Sequence, residues 1–283
     1  MSFVNKPVMR PEEFRLINEF VAEEFGFILD ESRAGFLSAK LIPRLTELRL
    51  ESFSDYYTYL KFSPHFCEEH KRLLSLITNN ETYFFREEAQ LKILTSHVLP
   101  ELKERKLINR DKKIRILSAG CSSGEEVYTL AMILLESCHF LWDWDIRITG
   151  LDIDTEMIAK ARNGIYTGRA FQTTSDKYVE RYFSKCADGF QVKDALRRIT
   201  SFKVGNLLRL DSFDGEDETD IIFCRNVFIY FSDHTTGMIV ENFASLLRQD
   251  GHLFLGHSES ITRVTSRYLQ IRYPGAIIYR KRD

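Results

Sequence analysis

Apolar residues recur at helical spacing from residue 11 to about residue 75, with no stretch of strand-like alternation. Phe14, Ile17, Val21 and Phe25 share one helical face, opened by Pro11 and stopped near Gly26. A second helix is predicted from near Ser32, carrying Leu37, Leu41, Leu45 and Leu48. Pro43 falls inside it, so that helix is either kinked there or broken into two. Helical segments over 56–62 and 65–77 complete an all-α N-terminal domain spanning 1–77. Residues 78–113 read as a joint. Thr78 and Glu81 have the spacing of a capping box. A helix then follows through Leu91, Ile93, Leu94, Val98 and Leu99, and a charged linker runs from Glu101 to Lys113.

At Ile114 the pattern changes to short apolar runs alternating with amphipathic stretches. Strands are predicted at 114–119, 146–151, 200–204, 220–224, 252–256, 268–273 and 276–280, and helices at 125–137, 155–162 and 233–247. Such alternation makes an α/β domain (114–283) with a mostly parallel sheet covered on both faces. Pro274-Gly275 separates the last two strands, which predicts a tight hairpin and one antiparallel strand. Residues 164–198 exceed what a simple connection needs, so a subdomain is expected there, inserted at about 168–198.

Composition narrows the class without choosing a function. Of 283 residues, 44% are hydrophobic and 28% charged, as in ordinary globular proteins. A formal net charge of −2 creates no basic field, which argues against bulk nucleic-acid binding. Cys67, Cys121, Cys138, Cys186 and Cys224 form no C-x-x-C pair and read as reduced, mostly structural thiols. There is no leader pattern and no apolar run of membrane-spanning length, so the chain is expected to be cytoplasmic.

The candidate chemistry starts at Ala119-Gly120-Cys121-Ser122-Ser123-Gly124-Glu125-Glu126, a small-residue turn between the first strand and its helix. The second strand ends in Asp152, placed to accept both hydroxyls of a ribose. The turn lacks the full G-x-G-x-x-G phosphate pattern. Two carboxylates at a helix start would repel a pyrophosphate but suit a cationic, phosphate-free ligand such as S-adenosylmethionine. A purely structural turn is the competing reading, and Asp152 could instead cap the next helix, although Asp154 fills that role better. Asn80, Thr82 and Arg86 lie in the joint, where they could reach polar groups of a cofactor or an anionic substrate; a capped helix with Phe84 and Phe85 in the core is the alternative. Arg225, Asn226 and Tyr230 follow the 220–224 strand, at the sheet edge where such folds bind ligands, or they make structural hydrogen bonds. Asn206 and Leu207 end the third strand and suit an adenine edge and face.

His257-Ser258-Glu259 is not a nucleophile triad, because triad members meet through the fold. Cys121 is read as a turn filler, and His65 and His70 lack metal-ligand spacing. Arg33, Lys40 and Arg44 would form one basic stripe on a continuous helix, either a solvated face or a docking surface for an acidic protein.

Taken in order, these motifs resemble one family, the chemotaxis-receptor glutamate O-methyltransferases of CheR type. The resemblance rests on Asn80-x-Thr82-x-Phe84-Phe85-Arg86-Glu87, Ser122-Ser123-Gly124-Glu125-Glu126, Asp152-Ile153-Asp154, Ala161-Arg162-x-Gly164-x-Tyr166, Asn206-Leu207-Leu208, the 223–231 segment and Gly256-His257-Ser258-Glu259. It spans nearly the whole chain. Where family members often carry Pro-Tyr-Ser after the paired glutamates, this chain has Val127-Tyr128-Thr129. The resemblance implies a Rossmann-like seven-stranded methyltransferase sheet with a small β-subdomain, preceded by the all-α domain. It implies an enzyme that uses S-adenosylmethionine, leaves S-adenosylhomocysteine, needs no metal, and esterifies glutamates of chemoreceptor cytoplasmic domains in sensory adaptation. It implies cofactor contacts from Asn80, Thr82, Arg86, Ala119, Gly120, Glu126, Asp152, Asn206, Leu207, Arg225 and Asn226, with Arg86 and Tyr230 beside the reacting centre. In some members the β-subdomain binds a receptor tail peptide at a glycine-bearing tip. Here the tip is short and has only Gly189, so tethering of that kind is not expected. A monomer without nucleic acid or membrane insertion is expected. A cofactor-sensing module with little turnover, or a methyltransferase for another acceptor, are the competing functions.

Overall fold

The computed structural model describes residues 7–78, 80–137, 140, 143–210 and 218–282. Cys138 lies outside them. The chain divides into two compact units, Met1–Asn79 with Tyr230–Ser232, and Asn80–Ile229 with Asp233–Asp283.

The first unit is helical: α1 (Pro11–Phe25), α2 (Ala34–Leu48), α3 (Phe53–Phe62) and α4 (Phe66–Ile77). Pro11 supplies the preset φ of a first turn, and the Glu13 carboxylate accepts from the Arg10 N–H, which satisfies one free donor ahead of the helix. Gly26 ends α1 in the left-handed region (φ 78°). Phe14, Ile17, Val21 and Phe25 are all buried, as the spacing predicts, each stabilising the bundle by roughly 1.5–3 kcal/mol. One expectation changes here and an open alternative is decided. Ser32 sits in a short 3-10 turn, Glu31–Arg33, and α2 starts at Ala34. Pro43 does not break α2, which runs unbroken to Leu48. The ring is tolerated because the proline and Ala39, whose carbonyl it leaves unpaired, are both exposed, so solvent takes the freed acceptor.

The predicted helix start at Thr78 is absent. Thr78 ends α4, and its hydroxyl donates to the Leu74 carbonyl (2.9 Å), so it is spent as a C-terminal cap. Residues 80–87 are non-helical, with Phe85 and Glu87 at positive φ. Helix resumes as α5 (Glu88–Ile93), passes through a π-helical turn, Leu94–Val98, and ends in α6 (Leu99–Ile108).

The second unit is built on a seven-stranded sheet. Its strands are β1 (Lys113–Ala119), β2 (Asp145–Asp152), β6 (Thr200–Val204), β7 (Thr219–Cys224), β8 (Leu247–Leu255), β9 (Tyr268–Tyr273) and β10 (Ala276–Lys281), ordered β6-β2-β1-β7-β8-β10-β9. Only β10 runs antiparallel to its neighbours, turning at Gly275 (φ 85°). β1 and β7 are almost wholly buried, which is why they read as continuous apolar runs. α7 (Glu125–Glu136), α8 (Thr155–Asn163) and α9 (Asp233–Leu246) provide the crossovers. Strand order reverses between β1 and β7, and an open α/β sheet binds its ligands at that switch point, beyond the carboxyl ends of the strands.

The insertion is a three-stranded antiparallel sheet of β3 (Ile165–Tyr166), β4 (Phe183–Cys186) and β5 (Gly189–Val192), ordered β3-β5-β4. It begins at Ile165, slightly earlier than the sequence pattern suggests. Gly189 (φ 136°) has no room for a Cβ, which would overlap the Tyr166 carbonyl oxygen. Phe84 pins residues 80–87 to this insertion. Its ring packs against Phe171, Tyr166 and Phe183 at 4.9–5.2 Å, and its backbone pairs with Ala170.

Candidate functional site

β1 delivers its chain into the turn at Gly120. The turn folds back on β2, with the Gly120 and Cys121 N–H groups donating to the Leu151 carbonyl at 2.7 and 3.1 Å. Gly120 has φ 76°, and a Cβ there would overlap the Val227 side chain. Ser122 and Gly124 also take positive φ, so three backbone reversals pack into five residues. Cys121 is fully buried, and burial, with Asp152, Glu126 and Glu125 nearby, pushes its thiol well above the usual range. It fills the turn and is no nucleophile.

Asp152 stands at the end of β2 with 9% of its surface exposed. One carboxylate oxygen accepts from the Ser122 N–H (2.7 Å), the other from the Asp154 N–H (2.9 Å). The carboxylate keeps acceptor capacity for a further donor. Burial raises the carboxyl to about 6, against the lowering effect of those hydrogen bonds. Asp154 caps α8 by accepting from the Glu156 and Met157 N–H groups, which frees Asp152 from that task. Asn80 donates its side-chain amide to Asp154 (3.1 Å), and its carbonyl accepts from the Ser122 hydroxyl (3.2 Å).

A second cluster lies at the end of β7. The Arg225 Nε donates to Glu126 (2.6 Å), and its Nη1 donates to the Arg86 carbonyl (2.8 Å) and lies 3.7 Å from Glu87. The other Glu126 oxygen accepts from the Ser118 hydroxyl (2.6 Å). One guanidinium thus joins the ends of β1 and β7 to residues 86–87. Arg86 donates to the Glu81 carbonyl (2.9 Å), with its guanidinium over the Tyr83 ring. Thr82 lies half-buried between them. Beyond β6, the Asn206 carbonyl oxygen of the side chain accepts from the Leu208 N–H (2.9 Å), which leaves its amide hydrogens to donate elsewhere; Leu207 is buried.

The sequence-predicted residues Asn80, Arg86, Ala119, Gly120, Glu126, Asp152, Arg225 and Asn226 therefore lie at the carboxyl ends of β1, β2 and β7 or in the 80–87 segment. Tyr230 belongs to the helical unit. The Ile28 N–H donates to its carbonyl (2.9 Å), Phe27 packs against its ring at 5.9 Å, and the Arg33 guanidinium lies over that ring at 5.4 Å.

The basic stripe does not hold together. Arg33 lies in the 3-10 turn before α2 and covers Tyr230. Arg44 is committed to Glu69 and to Glu47, with 18% of its side chain exposed. Glu69 is buried and also accepts from the Tyr56 hydroxyl (2.8 Å). Lys40 alone of the three is exposed.

Sequence reasoning missed Ser118, Glu87 and Tyr166, whose hydroxyl donates to the Ser123 carbonyl (2.6 Å). It also missed the carboxylate of Glu259, which is bound by backbone N–H groups. Glu87, Tyr166 and Glu259 do stand in the quoted motifs, and nothing local marks their partners.

The residues fit S-adenosylmethionine. A buried carboxylate with spare acceptor capacity suits a ribose diol. Glutamates rather than phosphate-binding donors open α7, and the Gly120 turn admits close backbone approach. Among the described residues, no group of three or more His, Cys, Asp or Glu could hold a metal ion. Nor is any helix among them long and apolar enough to cross a membrane.

A family model described as CheR methyltransferase, SAM binding domain matches residues 80–276, and one described as CheR methyltransferase, all-alpha domain matches 12–78. Chemotaxis protein methyltransferase 2 of Vibrio cholerae is 35% identical over 279 residues, covering 98% of this chain and 96% of the relative. The chemotaxis protein methyltransferase of Borreliella burgdorferi is 36% identical, covering 91% of each chain. A probable chemotaxis protein methyltransferase of Rhizobium etli is 36% identical, covering 86% of this chain and 90% of its own.

Proposed function

The chain belongs to the CheR methyltransferase family, an S-adenosylmethionine-dependent group, and from that premise we propose that it methylates glutamate side chains on the cytoplasmic domains of chemoreceptors. It acts in the cytoplasm, as a monomer, with no nucleic acid. The observation that carries this reading is the glycine turn at the β1/β7 switch point with Asp152 and the Glu126–Arg225 pair gathered beside it, in a chain whose relatives bear chemotaxis methyltransferase names over nearly their full length.

When bound, the cofactor supplies an electrophilic methyl group on a sulfonium, which passes to a carboxylate oxygen. An acceptor glutamate, with an ordinary pKa of about 4.3, is already ionised at neutral pH, so this chain need not remove a proton. Its task is to position the reactants and exclude water. Alignment of that kind lowers barriers by on the order of 7–11 kcal/mol in favourable cases. Asp152 holds the ribose hydroxyls, Asn206 and Leu207 the base, and the Glu126–Arg225 pair with Asn80, Thr82, Ala119, Gly120 and Asn226 the remaining polar groups. Arg86 steers the acceptor carboxylate, while Tyr230 donates a hydrogen bond that fixes the line of attack.

The test is incubation with tritiated-methyl S-adenosylmethionine and receptor cytoplasmic fragments from the same cell, followed by mild base. Label released as methanol supports a glutamyl methyl ester. Cofactor binding without transfer to any receptor fragment would sink the proposal. Within the same assay, Tyr230→Phe is expected to lower turnover with cofactor binding retained, and Arg86→Ala to lower turnover and, through its cofactor contact, to weaken binding as well; normal turnover in both variants with cofactor binding intact overturns these two assignments.

A further inference from the structure

We propose that Glu259 is a positioning residue whose carboxylate holds the loop after β7 so that Asn226 meets the cofactor. The inference rests on the reading of Asn226 as a cofactor residue. Glu259 lies four residues beyond β8, and its carboxylate is filled entirely by main-chain donors. One oxygen accepts from the N–H groups of Phe228 (2.7 Å) and Ile229 (3.3 Å). The other accepts from those of Gly256 (2.7 Å) and Asn226 (2.9 Å). Three of the four donors belong to the stretch 226–229, and the fourth belongs to the turn that follows β8. The loops after two adjacent parallel strands are thus joined through one half-buried carboxylate.

The surroundings are shaped around that anion. Asn226 takes φ 60°, a left-handed conformation that aims its N–H at the carboxylate. Gly256 accepts no side chain, because a Cβ would lie 2.8 Å from the Glu259 carboxylate, 2.9 Å from the Asn226 N–H nitrogen and 3.0 Å from the Asn226 side-chain amide. The Asn226 side chain therefore rests against Gly256, fixed at its base by Glu259. Burial pushes the Glu259 carboxyl up while the four N–H donors hold it down. Convergent main-chain donors of this sort usually hold a bound anion, and here the chain supplies its own.

The geometry makes glutamine a poor substitute despite its equal size. Each oxygen faces two N–H donors, so either placement of the amide NH2 sets donor against donor. Binding of S-adenosylhomocysteine, measured by calorimetry on the whole chain, tests the inference. Glu259→Gln is expected to weaken binding at least tenfold, and Asn226→Ala to weaken it as well. The double variant should be no more than about threefold worse than the weaker single, because both act through one group. Combined with Asp152→Asn instead, the Glu259→Gln loss should multiply, as for independent sites. Glu259→Asp, which keeps the charge but withdraws it by one methylene, carries the same cycle if the glutamine variant does not fold.

Glu259→Gln binding within twofold of the unchanged chain overturns the inference. Losses that multiply with Asn226→Ala overturn it too. Asn226→Ala with unchanged affinity instead overturns the cofactor reading of Asn226, whatever Glu259→Gln does.

Discussion

Asp152 shows how much one carboxylate can carry. Its pKa of about 6 lies close to neutral pH, and burial is the main cause. If the ionised form receives the ribose hydroxyls, affinity for S-adenosylhomocysteine should fall as pH drops. The expected slope is about tenfold per unit below pH 6, from a single proton, and Asp152→Asn should remove it. Stability moves the other way. An acid raised on folding keeps its proton between about pH 4 and 6, where the unfolded chain has lost its own, so ionising Asp152 costs stability as pH rises through that window. Calorimetric titrations from pH 5 to 8, beside melts of the ligand-free chain, separate the two effects; a flat binding profile sinks the ribose role. Asp152 was legible in the sequence because a strand end and a helix cap are local signals. Glu259 stands in a quoted motif, but its role was not legible, since its four donors come from residues up to 33 positions away.

At the scale of elements, the strands were read to within a few residues wherever burial on both faces made them continuous apolar runs. β1 and β7 are the clearest cases. The helical start at Thr78 was misread because the same hydroxyl can cap a helix at either end, and here α4 claimed it through Leu74. Arg44 was misread because its partner, Glu69, lies 25 residues on, beyond any helical periodicity. The pair carries a prediction. Arg44→Ala strands a buried carboxylate and should destabilise the helical unit by roughly 3–5 kcal/mol in urea unfolding. Lys40→Glu, at an exposed position, should shift stability by no more than about 0.5 kcal/mol yet raise the KM for receptor fragments. If Arg44→Ala leaves the urea midpoint in place, Glu69 does not depend on it.

For the molecule as a whole, the sequence pattern shows a helical segment followed by an α/β segment, as though the two were consecutive beads. The family matches abut in the same way, at 12–78 and 80–276. The chain is less simply divided. Having entered the second unit at Asn80, it gives Tyr230–Ser232 back to the first, where Phe27 and Phe231 form a backbone bridge and pack their rings at 5.0 Å, before returning at Asp233. A fragment of residues 80–283 would carry Tyr230 and Phe231 without the groups that cover them, and is expected to melt lower than the sheet unit does within the intact chain. Differential scanning of the fragment beside the full protein measures this. That loop of borrowed chain also limits what recombination can do. The helical part cannot be traded between homologues as a cassette cut at residue 79, because three residues of its fabric are encoded 150 positions downstream. Functional chimaeras should therefore arise only when Phe27 and the 230–232 segment are inherited from the same parent.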